Sequence, residues 1–416
     1  MKRLVLLANA FPYGTGETFL ETEVGYLRGF DAVHVVSLSV RPQQRRARRS
    51  LPDGITVHPI RFRSRVFYAL AAARVLVDRN FYRELRHLRG SGRLTLGRIV
   101  TLLVFLSRAH HEARAAARAL RAAGAEAGDQ VVFYSYRFNY QPYLAWLLRH
   151  RFPGAATIAR AHRADLYEEL APGGYLPLRQ HTVAHLDRIY LIADHGLAYL
   201  QERFPGAASK MSVARLGTTD HGLNPSSSAR ASLRLVSCST ITPVKRLGLL
   251  VQALALSDQP VEWEHFGEGP LRDELRQDAD RLLPAGVRLT LRGFVANADL
   301  VEDYARQPRH VLINVSSSEG VPVSIMEALS AGIPVIATNV GGTREIVTTG
   351  VNGILLPADP SPEQIHQAIA RIATLPDAEY AALRAGARRI WELACAAERL
   401  YPAFAQEVVD MIPSPA

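Results

Sequence analysis

Glu319 and Glu327 stand at E-x7-E spacing in Ser316-Ser-Ser-Glu-Gly-Val-Pro-Val-Ser-Ile-Met-Glu-Ala-Leu-Ser-Ala-Gly332, a stretch that reads as glycine turn, helix and stop. Pro322 falls in the first helical turn, where a missing N–H costs nothing, and Gly332 ends the helix. Apolar runs at 311–315 and 334–337 flank the stretch, so the helix N-terminus projects from the carboxyl edge of a sheet. The backbone N–H groups of Gly320, Val321, Val323 and Ser324 are then free to meet an anion, which the positive end of the helix dipole favours. Eight residues of helix span about 12 Å, close to the separation of hexose and ribose when a nucleotide sugar bends its diphosphate around a helix end. Carboxylates gain nothing from charge beside phosphates, so their chemistry here is to accept hydrogen bonds from sugar hydroxyls. Taken singly, either glutamate reads equally well as a dipole-favoured or solvated helix residue. The pair in this setting favours binding.

Elements able to position such a site recur along the chain. Strand-like runs at 3–8, 33–38, 131–135, 157–161, 188–193 and 212–214 alternate with helix-like stretches, the pattern of a parallel sheet covered on both faces. Two Ala/Leu/Arg segments between Phe62 and Ala123 have helical spacing, and Asn224-Pro-Ser-Ser-Ser228 has linker composition. A second series follows at 233–237, 261–266, 287–291, 311–314, 334–337 and 353–356. At 416 residues the chain exceeds what one core serves. The expected fold is α/β, with two doubly wound Rossmann-like domains, 1–223 and 224–397, facing across a cleft with ligands at the strands' carboxyl ends. An amphipathic helix from about 398 to 416 is expected to pack back on the first domain.

The formal charge of +10 is almost all arginine, Lys2, Lys210 and Lys245 being the only lysines. Arg41, Arg45, Arg46, Arg48 and Arg49 share one polar loop ahead of the arginine-rich helical block. They suit an anionic lipid surface, where each contributes roughly 1 kcal/mol, and read equally as solvated helix faces. Cys238 and Cys395 lie far apart without metal-ligand spacing, which indicates neither a disulfide framework nor a zinc site. The apolar start is too short for a signal peptide and fits a first strand, and no run is long enough to span a bilayer. A cytoplasmic protein, peripheral at the inner face of the membrane if the arginines meet lipid, is the expectation.

Taken in order, these segments resemble the GT-B glycosyltransferases of family GT4 (glycosyltransferase group 1), a retaining group with an E-x7-E motif, and its polysaccharide-assembly members in particular. The resemblance covers the whole second domain. Ser239-Thr-Ile-Thr-Pro-Val-Lys-Arg-Leu-Gly-Leu-Leu250 is similar to the segment whose basic residues hold the donor diphosphate, which implies Lys245 and, after it, Arg246 for that role. Thr240 stands where the family often has an arginine. His265-Phe-Gly-Glu-Gly-Pro270 and Leu291-Arg-Gly-Phe-Val295 resemble the glycine loop and the turn against the nucleobase, implying Gly267 and Phe294 as donor contacts. Thr338-Asn-Val-Gly-Gly-Thr-Arg-Glu345 and Gly350-Val-Asn-Gly353 complete the pattern. In the first domain, Leu7-Ala-Asn-Ala-Phe-Pro-Tyr-Gly-Thr-Gly-Glu-Thr-Phe-Leu-Glu21 resembles the family's opening. Gly14 and Gly16 are expected to let its loop approach an acceptor or its phosphate, and Thr18 with Glu21 to form a capping box. His162 falls where the family carries a histidine beside the transferred sugar.

The resemblance implies retaining transfer of a hexose-type sugar from a UDP- or GDP-linked donor to a glycan or lipid-linked acceptor, without cofactor. No metal is expected, because Asp278-Ala-Asp280, the formal D-x-D match, falls within a helical run, where residues two apart do not face each other. Asp165 is the near candidate for a double-displacement nucleophile, and same-face substitution is preferred. A nucleotide-sugar epimerase or hydrolase on the same fold is the alternative. Nucleic-acid binding is suggested by charge alone and is not expected.

Overall fold

The computed structural model describes residues 1–70, 75–225 and 230–412. Two compact units emerge: residues 1–214 together with the chain from Tyr401 onward, and Arg215–Leu400. The first holds a seven-stranded sheet in the order β3-β2-β1-β4-β5-β6-β7. Its strands are β1 Lys2–Ala8, β2 Ala32–Val40, β3 Ile55–Arg61, β4 Gln130–Ser135, β5 Ala156–Ala161, β6 Arg188–Leu191 and β7 Met211–Val213. The second holds six strands in the order β10-β9-β8-β11-β12-β13. They are β8 Leu233–Cys238, β9 Val261–Phe266, β10 Val287–Gly293, β11 Val311–Asn314, β12 Val335–Thr338 and β13 Gly353–Leu356. Every neighbouring pair is parallel. Each sheet therefore gathers its loops at one carboxyl edge, and its order reverses between β1 and β4, or between β8 and β11.

Strand alternation explains the cores. On β1, Val5 and Leu7 join a cluster with Leu102, Phe105, Leu106 and Ala109 of the helix Leu96–Ala122. Leu4 and Leu6 point the other way and pack with Phe404, Ala405, Val408 and Ile412 of the terminal segment. A buried strand with helices on both faces needs apolar residues at every position, which is why the central strands read as continuous runs. Arg160 is the exception on β5: it is fully buried on the terminal-helix side and pairs with Glu23 at 2.5 Å, a carboxylate that also accepts from the Tyr134 hydroxyl at 2.9 Å.

Four expectations are corrected. The units divide at Ala214/Arg215 and again at Leu400/Tyr401, not at 223/224 and 397/398, because the intervening residues are bonded into the second unit. Thr218 N donates to Cys395 O at 2.9 Å, and Trp391 Nε1 donates to Thr218 Oγ1 at 2.8 Å. Asn224 is an anchor rather than the start of a linker, its Nδ2 donating to Tyr304 O at 2.6 Å and Gln307 O at 2.8 Å. Ser226, Ser227 and Ser228 lie outside the described residues. Thr18 does not cap a helix: it has helical dihedrals (φ −58°, ψ −34°) and makes no side-chain cap bond. Pro322 sits at the N-cap of the helix Val323–Ser330 rather than inside its first turn. Gly332, at φ +67°, does close that helix, with Ile333 N donating to Ala328 O.

Candidate functional site

In the second unit the carboxyl-edge loops of β8 and β11 are stitched together. Ser317 N donates to Val244 O at 2.8 Å, and Lys245 Nζ reaches Glu319 Oε1 at 2.6 Å. Asn314 Nδ2, at the end of β11, approaches the same oxygen at 3.3 Å. The Lys245–Glu319 pair is partly exposed, the two side chains retaining 24% and 11% of their surface, so its charges remain open to a ligand. Gly341 backs this corner. A Cβ there would stand 2.0 Å from Glu319 O, and Gly342 N donates to Gly320 O at 2.7 Å. The helix N-terminus follows directly, with Gly320, Val321, Val323 and Ser324 partly exposed and Pro322 buried.

Arg246 is placed differently from its neighbour. It adopts a left-handed backbone (φ +51°). Its guanidinium donates to Val315 O (2.7 Å), Ser316 O (3.1 Å) and Ala358 O (2.9 Å) and pairs with Asp359 (2.9 Å). Those bonds bind three loops together and commit the side chain to structure, whereas Lys245 beside it is the accessible cation.

Glu327 is 5% exposed, and Asn297 Nδ2 donates to its Oε1 at 2.5 Å. Burial pushes its carboxyl up to about 7, the Asn297 hydrogen bond opposing only in part. Burial and then the Glu327 charge in turn push the Cys238 thiol, at the end of β8, up to about 12. A buried carboxylate of this kind is suited to accept hydroxyl hydrogen bonds. Asn297 carried no signal in the sequence, since one asparagine at a helix start has many ordinary explanations.

Gly267 (φ +144°) donates its N–H to Gly293 O at 2.8 Å, and a Cβ there would lie 1.9 Å from Ser239 O, so close loop packing is what demands the glycine. Phe294 follows Gly293 with 73% of its surface exposed, an aromatic face presented to solvent. Asp278 and Asp280 lie on the helix Arg272–Leu282, with Asp278 paired to Arg281 at 2.6 Å.

In the first unit the loop after β1 is closed from within. The Glu17 carboxylate accepts from Asn9 N (2.9 Å), Ala10 N (3.0 Å) and Phe11 N (3.0 Å), while the residue itself takes φ +55°. Gly14 N is taken by Ala47 O at 2.8 Å, and Gly16 O accepts from Arg49 at 2.5 Å. His162 caps the short helix Arg163–Leu166 at the carboxyl end of β5. Only 7% of it is exposed, and burial holds its imidazole below the usual histidine range although Asp165 opposes the shift. Its Nδ1 is 3.8 Å from Asp165 Oδ2, and among the described residues neither ring nitrogen has a hydrogen-bond partner. Asp165 is spent on backbone: its carboxylate accepts from His162 N (2.6 Å) and Phe138 N (3.0 Å). That leaves it poorly placed as a nucleophile.

Two Rossmann-like units, each with a parallel sheet whose loops gather at its carboxyl edge, define the GT-B class of fold. Anabaena HepE in complex with UDP and glucose matches with a TM-score of 0.63 over 99% of this chain and 100% of that one, at 15% identity. Residues 232–374, within the second unit, match the family described as glycosyl transferases group 1. An exopolysaccharide phosphotransferase of Streptomyces coelicolor is 28% identical over 52% of this chain and 22% of its own length. The putative colanic acid biosynthesis glycosyltransferase WcaL of Escherichia coli is 26% identical over 47% of this chain and 50% of its own. The chain thus spans half or less of these relatives.

Proposed function

We propose that the protein is a retaining, GT4-type glycosyltransferase that moves a hexose-type sugar from a UDP- or GDP-linked donor to a glycan or lipid-linked acceptor in polysaccharide assembly. What carries the reading is Lys245 paired with Glu319 at a helix N-terminus, with buried Glu327 further along the same helix. In it the donor diphosphate takes the place of Glu319 as the partner of Lys245. The freed carboxylate then accepts from the hexose hydroxyls, and Glu327 with Asn297 takes the ribose. As the anomeric carbon–phosphate bond breaks, the acceptor oxygen bonds to the same face of that carbon. Its proton passes to the leaving phosphate oxygen, whose charge Lys245 and the helix N–H groups stabilise. His162, with unpartnered ring nitrogens, is suited to the transferred sugar's hydroxyls. The names of HepE's bound ligands and of WcaL support the donor and the pathway class.

The test is a panel of UDP-, GDP- and dTDP-sugars screened for thermal protection and turnover, with and without EDTA. Protection by one nucleotide series, with turnover that survives chelation, is expected. A ligand at about 100 times its Kd adds roughly 2.7 kcal/mol. Protection by none sinks the transferase reading, and turnover lost to EDTA and restored by Mg²⁺ sinks its metal-free form.

A further inference from the structure

A cavity of about 310 Å³ opens at the carboxyl ends of β1, β2 and β3, bounded by Asn9, Ser39, Arg41, Phe62, Tyr68 and Arg108. Ligands of doubly wound sheets bind along this edge, and the volume suits a sugar-sized group. The Arg41 and Arg108 guanidiniums stand 5.5 and 5.7 Å from the same Phe62 ring centre. They are not equivalent. Arg108 is fixed from behind, its Nε donating to the buried Glu112 Oε1 at 2.9 Å, an oxygen that also accepts from the Tyr68 hydroxyl at 3.1 Å. Its guanidinium also donates to Ser39 Oγ and lies 4.0 Å from the Tyr140 ring centre. Arg41 is exposed, and among the described residues no carboxylate lies within ion-pair distance of it. Glu112 balances one guanidinium, so the cavity keeps the positive charge of the other. Among the described residues no carboxylate lines it.

An anion entering here cannot use the first loop's backbone, because Glu17 already occupies the N–H groups of Asn9, Ala10 and Phe11. It must be met by side chains, and the guanidinium fork matches a phosphate or a carboxylate. We propose that this cavity binds an oxyanion of the acceptor, a phosphate or a uronate carboxylate, through Arg41 with Arg108 as the fixed wall. That the oxyanion belongs to an acceptor rests on the transferase reading above. The anion site itself does not.

Calorimetric titration of the full chain with glucose 6-phosphate, glucuronate and glucose tests this. At least one charged sugar should bind where glucose does not, and which one does identifies phosphate or carboxylate as the group. Arg41→Gln should weaken that binding by about tenfold, as loss of one charge-assisted contact implies. Lys245→Gln should leave it unchanged. Because Arg41 is exposed, Arg41→Gln should melt as the wild type does, and a melt of each variant confirms that it is folded before titration. The proposal is overturned if neither anion binds, if glucose binds equally, or if only Lys245→Gln removes binding, which would place the anion on the donor segment. UDP and GDP titrated alongside separate the failures. A nucleotide that binds while both anions fail removes the cavity alone, whereas loss of all binding removes the transferase reading as well.

Discussion

A nucleotide sugar lying along the stretch from Glu319 to Glu327 would present different ends to the two carboxylates, so their loss should have different consequences. Glu319→Ala should lower kcat while the nucleoside diphosphate still binds, since that product has no sugar. Glu327→Ala should weaken the diphosphate too, by about 1.5–3 kcal/mol for hydrogen bonds to a charged group. Calorimetry on both variants decides, and an inverted pattern would reverse the direction of the donor. Glu327 also has a pH signature. Its folded carboxyl is raised to about 7 from 4.5, so the folded protein holds a proton that the unfolded chain has released. Stability is then lost as pH climbs from about 4.5 and levels off above about 7, a cost on the order of 3 kcal/mol. Glu327→Gln should melt higher than wild type at pH 8, and the gap should close near pH 4. Persistence of the gap at low pH would mean that packing, not ionisation, causes it. The glutamates were legible because a glycine turn and a helix lie between two apolar strands there, although only Glu327 stands on the helix: Glu319 lies in the turn four residues before it, so the two are not joined by eight residues of helix. The partners Asn297 and Asn314 were not, since a single amide announces nothing until the fold sets it beside a carboxylate.

Adjacent residues at the start of the helix Leu247–Leu254 have separate tasks. Arg246→Ala removes donors to three carbonyls and should cost about 1–3 kcal/mol in urea unfolding. Lys245→Ala breaks a partly exposed pair and should cost under about 1 kcal/mol while abolishing diphosphate binding. Equal destabilisation by both would contradict the clamp. Sequence ranked Lys245 ahead of Arg246 for the diphosphate but did not give the second cation its place, because only the left-handed turn at Arg246 points it back into the loops. The strands were far more legible: a buried parallel strand needs a continuous apolar run, and 311–314 and 353–356 coincide with β11 and β13, while the alternating Val261–Phe266 coincides with β9. The strand β3 escaped because Pro59 interrupts it and its burial is incomplete. Its place at the sheet edge is what lets a residue without an N–H stand there. The capping box failed for a different reason: Thr18 and Glu21 have the right spacing, but Thr18 already has helical dihedrals, where an N-cap residue needs extended ones.

Across the whole molecule the arginines divide into two populations. Arg49, Arg93, Arg108 and Arg160 are engaged with Glu21, Glu168, Glu112 and Glu23, whereas Arg45, Arg46, Arg48, Arg83, Arg86 and Arg89 are exposed. Near them in sequence, Val77 and Leu96 are 82% and 77% exposed. Among the described residues no helix is long and apolar enough to cross a membrane. Liposome flotation should therefore show binding that rises with anionic lipid and falls with salt, and Leu96→Glu should weaken it. Equal binding to neutral vesicles, or none to either, would return these arginines to solvated faces. Composition supplied the total charge; only folding distinguished the arginines held in ion pairs from those left outside. The division of the chain also sets an order of events during synthesis. The first sheet's terminal-helix face, with Leu4, Leu6, Tyr134 and Arg160, is covered by Phe404 and Val408, residues made long after the rest of that unit. A ribosome must complete Arg215–Leu400 before it supplies them. The unit begun first is therefore the last to be finished, and until then it carries an open apolar face that a chaperone can hold.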